Sequence, residues 1–163
     1  MQKIRVIFLG NSLFLEDKIG LLVGERLREN LESLGLEVVI SERIGINLLD
    51  LIIGVDLLII VDSVYVDNDE LWGEVLILNL NSYYGNSIKA PHTLSLRDLL
   101  DIAKIYNLGP PKEIIIIGIG IRDLVTLSSD LSEKLKKKLD YITNKVFDLI
   151  VYFSQNMLAN SRH

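Results

Sequence analysis

Asp17, Asp62 and His92 lie far apart in a chain of 163 residues, yet each is of a type and in a setting that chemistry can use. Asp17 stands in Gly10-Asn11-Ser12-Leu13-Phe14-Leu15-Glu16-Asp17-Lys18-Ile19-Gly20, where a first helix follows a first strand. Asp62 ends the run Asp56-Leu57-Leu58-Ile59-Ile60-Val61-Asp62, and His92 follows a proline in Ala90-Pro91-His92-Thr93, ahead of an amphipathic stretch. Two carboxylates and one imidazole form a donor set suited to nickel, zinc, iron or manganese, with coordination positions left open. Such a site serves catalysis, or docks onto a metal that another molecule carries.

Each residue also has an ordinary explanation. Asp17, like its neighbour Glu16, could complement a helix dipole and cap free amides. Asp62 could bond the amides of Ser63 or Val64, because a carboxylate at the end of an apolar strand needs a partner. His92 could be a solvated turn residue, and His163 is the last residue of the chain. A functional reading rests on whether all three arrive at the same edge of a sheet.

The elements that must bring them there follow from periodicity. Lys3 to Leu9 reads as a β-branched strand bounded by Gly10-Asn11. Ile19, Leu22, Val23, Leu27, Leu31 and Leu34 recur at helical spacing, which predicts a helix from Asp17 to Leu34, stopped by Gly35. A second strand spans Leu36 to Ser41, a short helix Asn47 to Ile53, and a third strand Leu57 to Val61. A fourth strand spans Glu74 to Leu80, a helix Ser95 to Tyr106, a fifth strand Glu113 to Ile119, and a long helix Ser128 to about Phe153. Alternating strands and helices predict an α/β fold, a three-layer α/β/α sandwich around a mostly parallel, five-stranded twisted sheet of the phosphorylase/hydrolase-like kind. The link into the fourth strand is too short for a crossover helix, so that strand is expected to be antiparallel, at an edge. Ligands of open α/β sheets bind beyond the carboxyl ends of the strands, where all three residues are expected.

Composition bounds what such a site serves. Residues 1–163 read as one domain with a frayed end, at 49% apolar and 24% charged residues. The most apolar stretch, Leu48 to Val66, is broken by Asp50, Asp56 and Asp62, whereas a membrane span needs about 20 apolar residues. The start, Met1-Gln2-Lys3-Ile4-Arg5, runs into a strand without the features of a secretory signal, and a cytoplasmic protein is expected. A net charge of -5 gives no electrostatic reason for nucleic acid. Lys134, Lys136, Lys137 and Lys138 read as a solvated helix face. With no cysteine, the chain has no disulfide, thiolate nucleophile or cysteine-type zinc site.

Other chemistries find less support. Ser12, Ser63 and Ser95 are nominal nucleophiles, but none lies in a G-x-S-x-G elbow. Gly118-Ile119-Gly120 lacks the third glycine of a dinucleotide fingerprint, and no phosphate loop follows the first strand. A flavodoxin-like phosphate-binding module would therefore rest on fold analogy alone. Tyr83 and Tyr84, in the loop 81–87, could contact a partner or pack beneath the loop.

The Gly10 to Gly20 segment, Asp62 after its strand, and Pro91-His92 before a helix with Leu99-Leu100 together resemble the hydrogenase maturation endopeptidases, across nearly the whole chain. The resemblance implies a protease that removes a C-terminal extension from the large-subunit precursor of a nickel-iron hydrogenase once nickel is inserted. It implies Asp17, Asp62 and His92 as the catalytic and metal-binding residues, with Glu16 the alternative to Asp17 and the nucleophile unassigned. It further implies no permanently bound cofactor, nickel supplied by the substrate, and a monomer whose partner is the precursor. Two segments depart from the family pattern. Ser41-Glu42-Arg43-Ile44-Gly45 stands where a glycine-rich turn with threonine is usual, and Gly118-Ile119-Gly120-Ile121-Arg122 where a turn with glycine, an acid and proline is usual. Both are expected to border the site, and they leave open a non-catalytic relative that binds a metal or metalloprotein.

Overall fold

The computed structural model describes residues 1–83 and 94–160. In chain order the elements are β1 (Ile4–Leu9), α1 (Ile19–Ser33), β2 (Glu37–Ser41), α2 (Leu49–Ile52), β3 (Leu57–Tyr65), β4 (Val75–Leu78), α3 (Leu96–Ile105), β5 (Glu113–Ile121) and α4 (Glu133–Asn160). Short 3-10 turns at Gly45–Leu48 and Asp69–Leu71 precede α2 and β4. The sheet order is β2-β1-β3-β5-β4, with β4 antiparallel to β5 and every other pairing parallel. The mostly parallel five-stranded sheet with one antiparallel edge strand is thus observed.

Alternation along the strands divides the core between the two faces. On one face Val6, Phe8, Ile59, Val61, Ile117 and Ile119 pack with residues of α1 and α4, among them Val23, Leu27, Val146 and Ile150. On the other, Ile7, Leu9, Leu58, Ile60 and Ile116 meet Ile52, Leu99 and Leu100 of α2 and α3. Strands covered on both sides can be apolar at every position, as the first five residues of β3 are.

Several boundaries differ from expectation. Asp62 does not end β3, because the strand continues to Tyr65, with Asp62, Ser63, Val64 and Tyr65 paired to Gly118, Ile119, Gly120 and Ile121. The segment read as a turn after the fifth strand is therefore largely the end of β5. Polar Asp62 and Ser63 and the two glycines hid this extension, since none of them is a strand-favouring residue. Asp17 does not open a helix, because α1 begins two residues later and has no acid in its first turn. α4 starts at Glu133 rather than Ser128, after the Ser132 hydroxyl accepts the Leu135 amide at 3.4 Å. The lysines of α4 are partly engaged with the body of the protein: Lys138 pairs with Glu74 at 2.5 Å, and Lys134 sits 5.7 Å from the Trp72 ring centroid. Among the described residues, no helix is long and apolar enough to cross a membrane.

Candidate active site

The chain reverses direction across the sheet at β1, going out through α1 to β2 and then back to β3. A crevice opens where that reversal separates the loops beyond the strand ends. Here it is a cleft of about 320 Å³. Gly10 and Asn11 after β1, Glu42 to Gly45 after β2, and Asp62 of β3 line it, together with Asp17, Tyr83 and the start of α3. Its lining combines apolar Ile7, Leu9, Ile52, Ile60 and Leu99 with the carboxylates of Asp17, Glu42 and Asp62.

Asp17 is placed by a loop folded tightly on itself. The Asn11 amide donates to the Asp17 carbonyl at 3.3 Å, and a Cβ on Gly10 would stand 2.5 Å from that same oxygen. Only glycine allows so close an approach. At the base of the loop, a Cβ on Gly20 would stand 2.1 Å from the Leu9 carbonyl oxygen, so α1 lies directly against the end of β1. The Asp17 side chain caps no helix. Its Oδ1 accepts from the hydroxyl of Ser63, which is fully buried.

Asp62 stands one residue beyond the last β1–β3 partners, Phe8 and Val61, and so at the rim left by the shorter β1. By alternation it shares the α2/α3 face with Leu58 and Ile60, while Ser63 shares the α1/α4 face with Ile59 and Val61. Consecutive residues of one strand thereby serve both carboxylates: Asp62 enters the cleft itself, and Ser63 holds Asp17 beside it. The Tyr83 hydroxyl donates to Asp62 Oδ2 at 2.6 Å.

Burial governs the charge of this pair. It pushes Asp62 up to about 7, assisted by the charge of Asp17 and opposed by hydrogen bonds from Tyr83 and the Ser63 amide. Asp17 is also raised, first by burial and further by Glu42, against the hydrogen bond from Ser63. Tyr83 is held well above its ordinary value by burial and by the charge of Asp62, so it remains a hydrogen-bond donor. Asp62 can therefore pass a proton near neutral pH, and a cation received between the two acids would favour the anionic form of both and release the protons they hold.

Glu16 is fully buried and faces other partners. Its Oε1 accepts the amides of Arg122 and Asp123 at 2.9 and 2.8 Å. Its Oε2 accepts the Trp72 indole N–H at 2.9 Å and the Ser132 hydroxyl at 2.5 Å. Four donors saturate the carboxylate, and Glu16 does not line the cleft. Of the two adjacent acids, it is Asp17 that faces the site. The Gly118 to Arg122 segment thus supports Glu16 rather than bordering the cleft, whereas Ser41 to Gly45 borders it through Glu42, Arg43, Ile44 and Gly45. Glu42 accepts the Ser12 amide at 2.6 Å, and Arg43 pairs with Asp50.

His92 and Tyr84 lie outside the described residues, as does His163. Among the described residues, no three acidic or histidine side chains are grouped so as to hold a metal ion. The structure thus brings Asp17 and Asp62 to one cleft. Tyr83 packs against the α2/α3 core, as one of its two sequence readings had it, but its bond to Asp62 went unforeseen. So did the roles of Ser63 and Trp72, because each depends on a contact more than 45 positions away in the chain. Ser95, a nominal nucleophile, caps α3 in a reciprocal capping box with Asp98.

The fold and the cleft lead to a comparison with known proteins. Residues 22–149 match the family model of the HycI hydrogenase maturation proteases, and the chain belongs to that family. The hydrogenase-maturating endopeptidase HybD from E. coli superposes with a TM-score of 0.67 at 23% identity, over 92% of this chain and 93% of that one. The [NiFe] hydrogenase maturation protease HycI from Thermococcus kodakarensis KOD1 gives 0.65 at 22%, over 89% and 90%. The endopeptidase HycI from Escherichia coli gives 0.61 at 19%, over 87% of each chain. No curated protein matches the chain in sequence.

Proposed function

We propose that this protein is an endopeptidase that removes the C-terminal extension of a nickel-iron hydrogenase large-subunit precursor after nickel has been inserted. The observation that carries this reading is the arrival of Asp17 and Asp62, 45 positions apart in the chain, in the lining of one cleft, within family membership that already implies a maturation protease. Asp17, Asp62 and His92 are assigned to the nickel that the precursor brings, so no metal need reside in the enzyme. A chain without thiolates suits this arrangement, because the precursor can supply soft ligands while the protease adds oxygens and one imidazole. A metal held beside the scissile bond can polarise its carbonyl or activate water.

The form of the cleft supports a protein substrate. Its lining includes Ile44, 57% exposed, and beside Phe14 the short ladder of Phe14 with Leu127 exposes Leu13 at 65% and Leu127 at 69%. Apolar side chains left in water around a cleft are what an incoming protein surface covers. The monomer and the cytoplasm are retained as part of the same proposal.

The test is intact-mass measurement of large-subunit precursors incubated with the protein, with and without nickel. Loss of a C-terminal peptide from the nickel-loaded form alone is expected. Cleavage of both forms would remove nickel from the recognition step, and cleavage of neither would remove the endopeptidase. Glu42 favours a second reading, that of a non-catalytic binder of a metal or metalloprotein. It places a third carboxylate at the cleft lip, where the family pattern has glycine and threonine, and its charge acts on Asp17. Tight binding of the nickel-loaded precursor without cleavage would establish that reading instead.

A further inference from the structure

Among the described residues, Tyr83 is a cleft side chain whose polar atom contacts Asp62 without belonging to the proposed ligand set. Its hydroxyl donates to Asp62 Oδ2 at 2.6 Å, and the residue packs against the α2/α3 core with Leu78 and Leu80. The path to this position is firmly built. After edge strand β4, the Asn79 side chain accepts the Ser82 amide at 2.9 Å, and the Ser82 hydroxyl donates to the Asn79 carbonyl at 3.1 Å. Arg97 of α3 donates to Asn81 Oδ1, anchoring the same turn to a helix of the cleft wall. A turn tied at both ends delivers a phenol to one particular carboxylate oxygen.

We infer that Tyr83 is a positioning residue: its hydroxyl fixes the orientation of the Asp62 carboxylate so that the remaining lone pairs meet the metal borne by the substrate. An ionised carboxylate has about four acceptor sites, so one hydrogen bond to Oδ2 leaves room for metal ligation. Ligating carboxylates that are themselves hydrogen-bonded are held in one rotamer, and loss of such a partner typically costs about 10–100-fold in metal affinity or activity. The Ser63 amide also bonds the Asp62 carboxylate, and the Tyr83 hydroxyl adds a side-chain donor at Oδ2. The pairing with Gly118 fixes the Asp62 backbone, and the Ser63 hydroxyl is directed to Asp17. The inference rests on the ligand role proposed above for Asp62.

Tyr83→Phe removes only the hydroxyl. In calorimetric titration with cadmium as the probe, the variant is expected to bind about 10–100-fold more weakly than the wild type. With the nickel-loaded precursor, kcat is expected to fall within the same range while KM changes less than about threefold, because the precursor surface that docks is untouched. Since Tyr83 acts through Asp62, adding Tyr83→Phe to Asp62→Asn should cause no further loss of cadmium binding. A purely structural tyrosine would lower the unfolding temperature and leave cadmium affinity and kcat unchanged, and that result overturns the inference. Additive losses in the double variant overturn it as well. A wild-type protein that neither binds cadmium nor processes any precursor refutes the ligand role of Asp62, and the role of Tyr83 with it.

Discussion

Glu16 and Asp17 are consecutive residues with opposite tasks. Glu16 is fully buried, with four hydrogen-bond donors from Trp72, Arg122, Asp123 and Ser132, whereas Asp17 lines the cleft and accepts from Ser63. One acid binds the loop before α4 to the rest of the fold, and the other lines the cleft.

Exchanging each acid should therefore separate stability from activity. Glu16→Ala strands two part-buried amides, an indole N–H and a hydroxyl, and a loss of about 3–5 kcal/mol is expected from denaturant titration. Asp17→Asn keeps an acceptor for Ser63 and removes a disfavoured charge, so unfolding should shift by less than about 1 kcal/mol while processing is abolished. An active Asp17→Asn protein would contradict the assignment.

Asp62 makes the protein's stability depend on pH in a direction opposite to that of a salt-bridged acid. Its folded value is raised from 3.8 to about 7. Below 3.8 both folded and unfolded states hold the proton, and this group costs nothing. As pH rises from there to 7, the unfolded chain releases its proton while the folded one retains it, and stability falls. At about 1.4 kcal/mol per pH unit, the ceiling on this loss is about 4 kcal/mol. Asp62→Asn, which can still accept from Tyr83, should raise the unfolding temperature at pH 7 and flatten its slope between pH 4 and 7. If the carboxylate were instead stabilised as an anion, thermal unfolding at stepped pH would show Asp62→Asn lowering the unfolding temperature at pH 7 and leaving the slope between pH 4 and 7 unchanged.

Gly10→Ala should damage the site without touching a ligand. The added methyl would stand 2.5 Å from the Asp17 carbonyl and 3.0 Å from Leu21 Cγ. Relief requires moving the loop that aims Asp17, at about 1–3 kcal/mol in stability. Processing should fall by more than tenfold in a protein that still folds, and an unchanged rate would show that the loop does not position Asp17.

The apolar rim should affect substrate binding rather than turnover. Leu13→Asp with Leu127→Asp is expected to raise KM for the precursor about tenfold or more at constant kcat, as exposed contacts worth more than about 1 kcal/mol do. Steady-state kinetics with unchanged KM would place the precursor elsewhere.

The parts of this molecule legible in the sequence are those written in local periodicity. The apolar runs of β1, β3 and β5, the spacing of α1 and the short link before β4 together specify the sheet and its antiparallel edge. The positions of Asp17 and Asp62 at the cleft follow from that topology and from the chain reversal at β1. What could not be read locally depends on distant contacts. The continuation of β3 past Asp62 requires β5 to extend in register beside it, and Glu16 is distinguished from Asp17 only by Trp72, Arg122, Asp123 and Ser132. Tyr83 is coupled to Asp62 across 21 positions by a turn that no motif records.

The carboxylates of Asp17 and Asp62 are proposed to share one metal with the imidazole of His92. Anomalous diffraction from crystals soaked in cadmium tests this proposal most directly. A single strong peak is expected in the cleft, within about 2.5 Å of an oxygen from each aspartate and of a His92 nitrogen. A peak bound by Glu16 instead of Asp17, or density confined to surfaces away from the cleft, would contradict it.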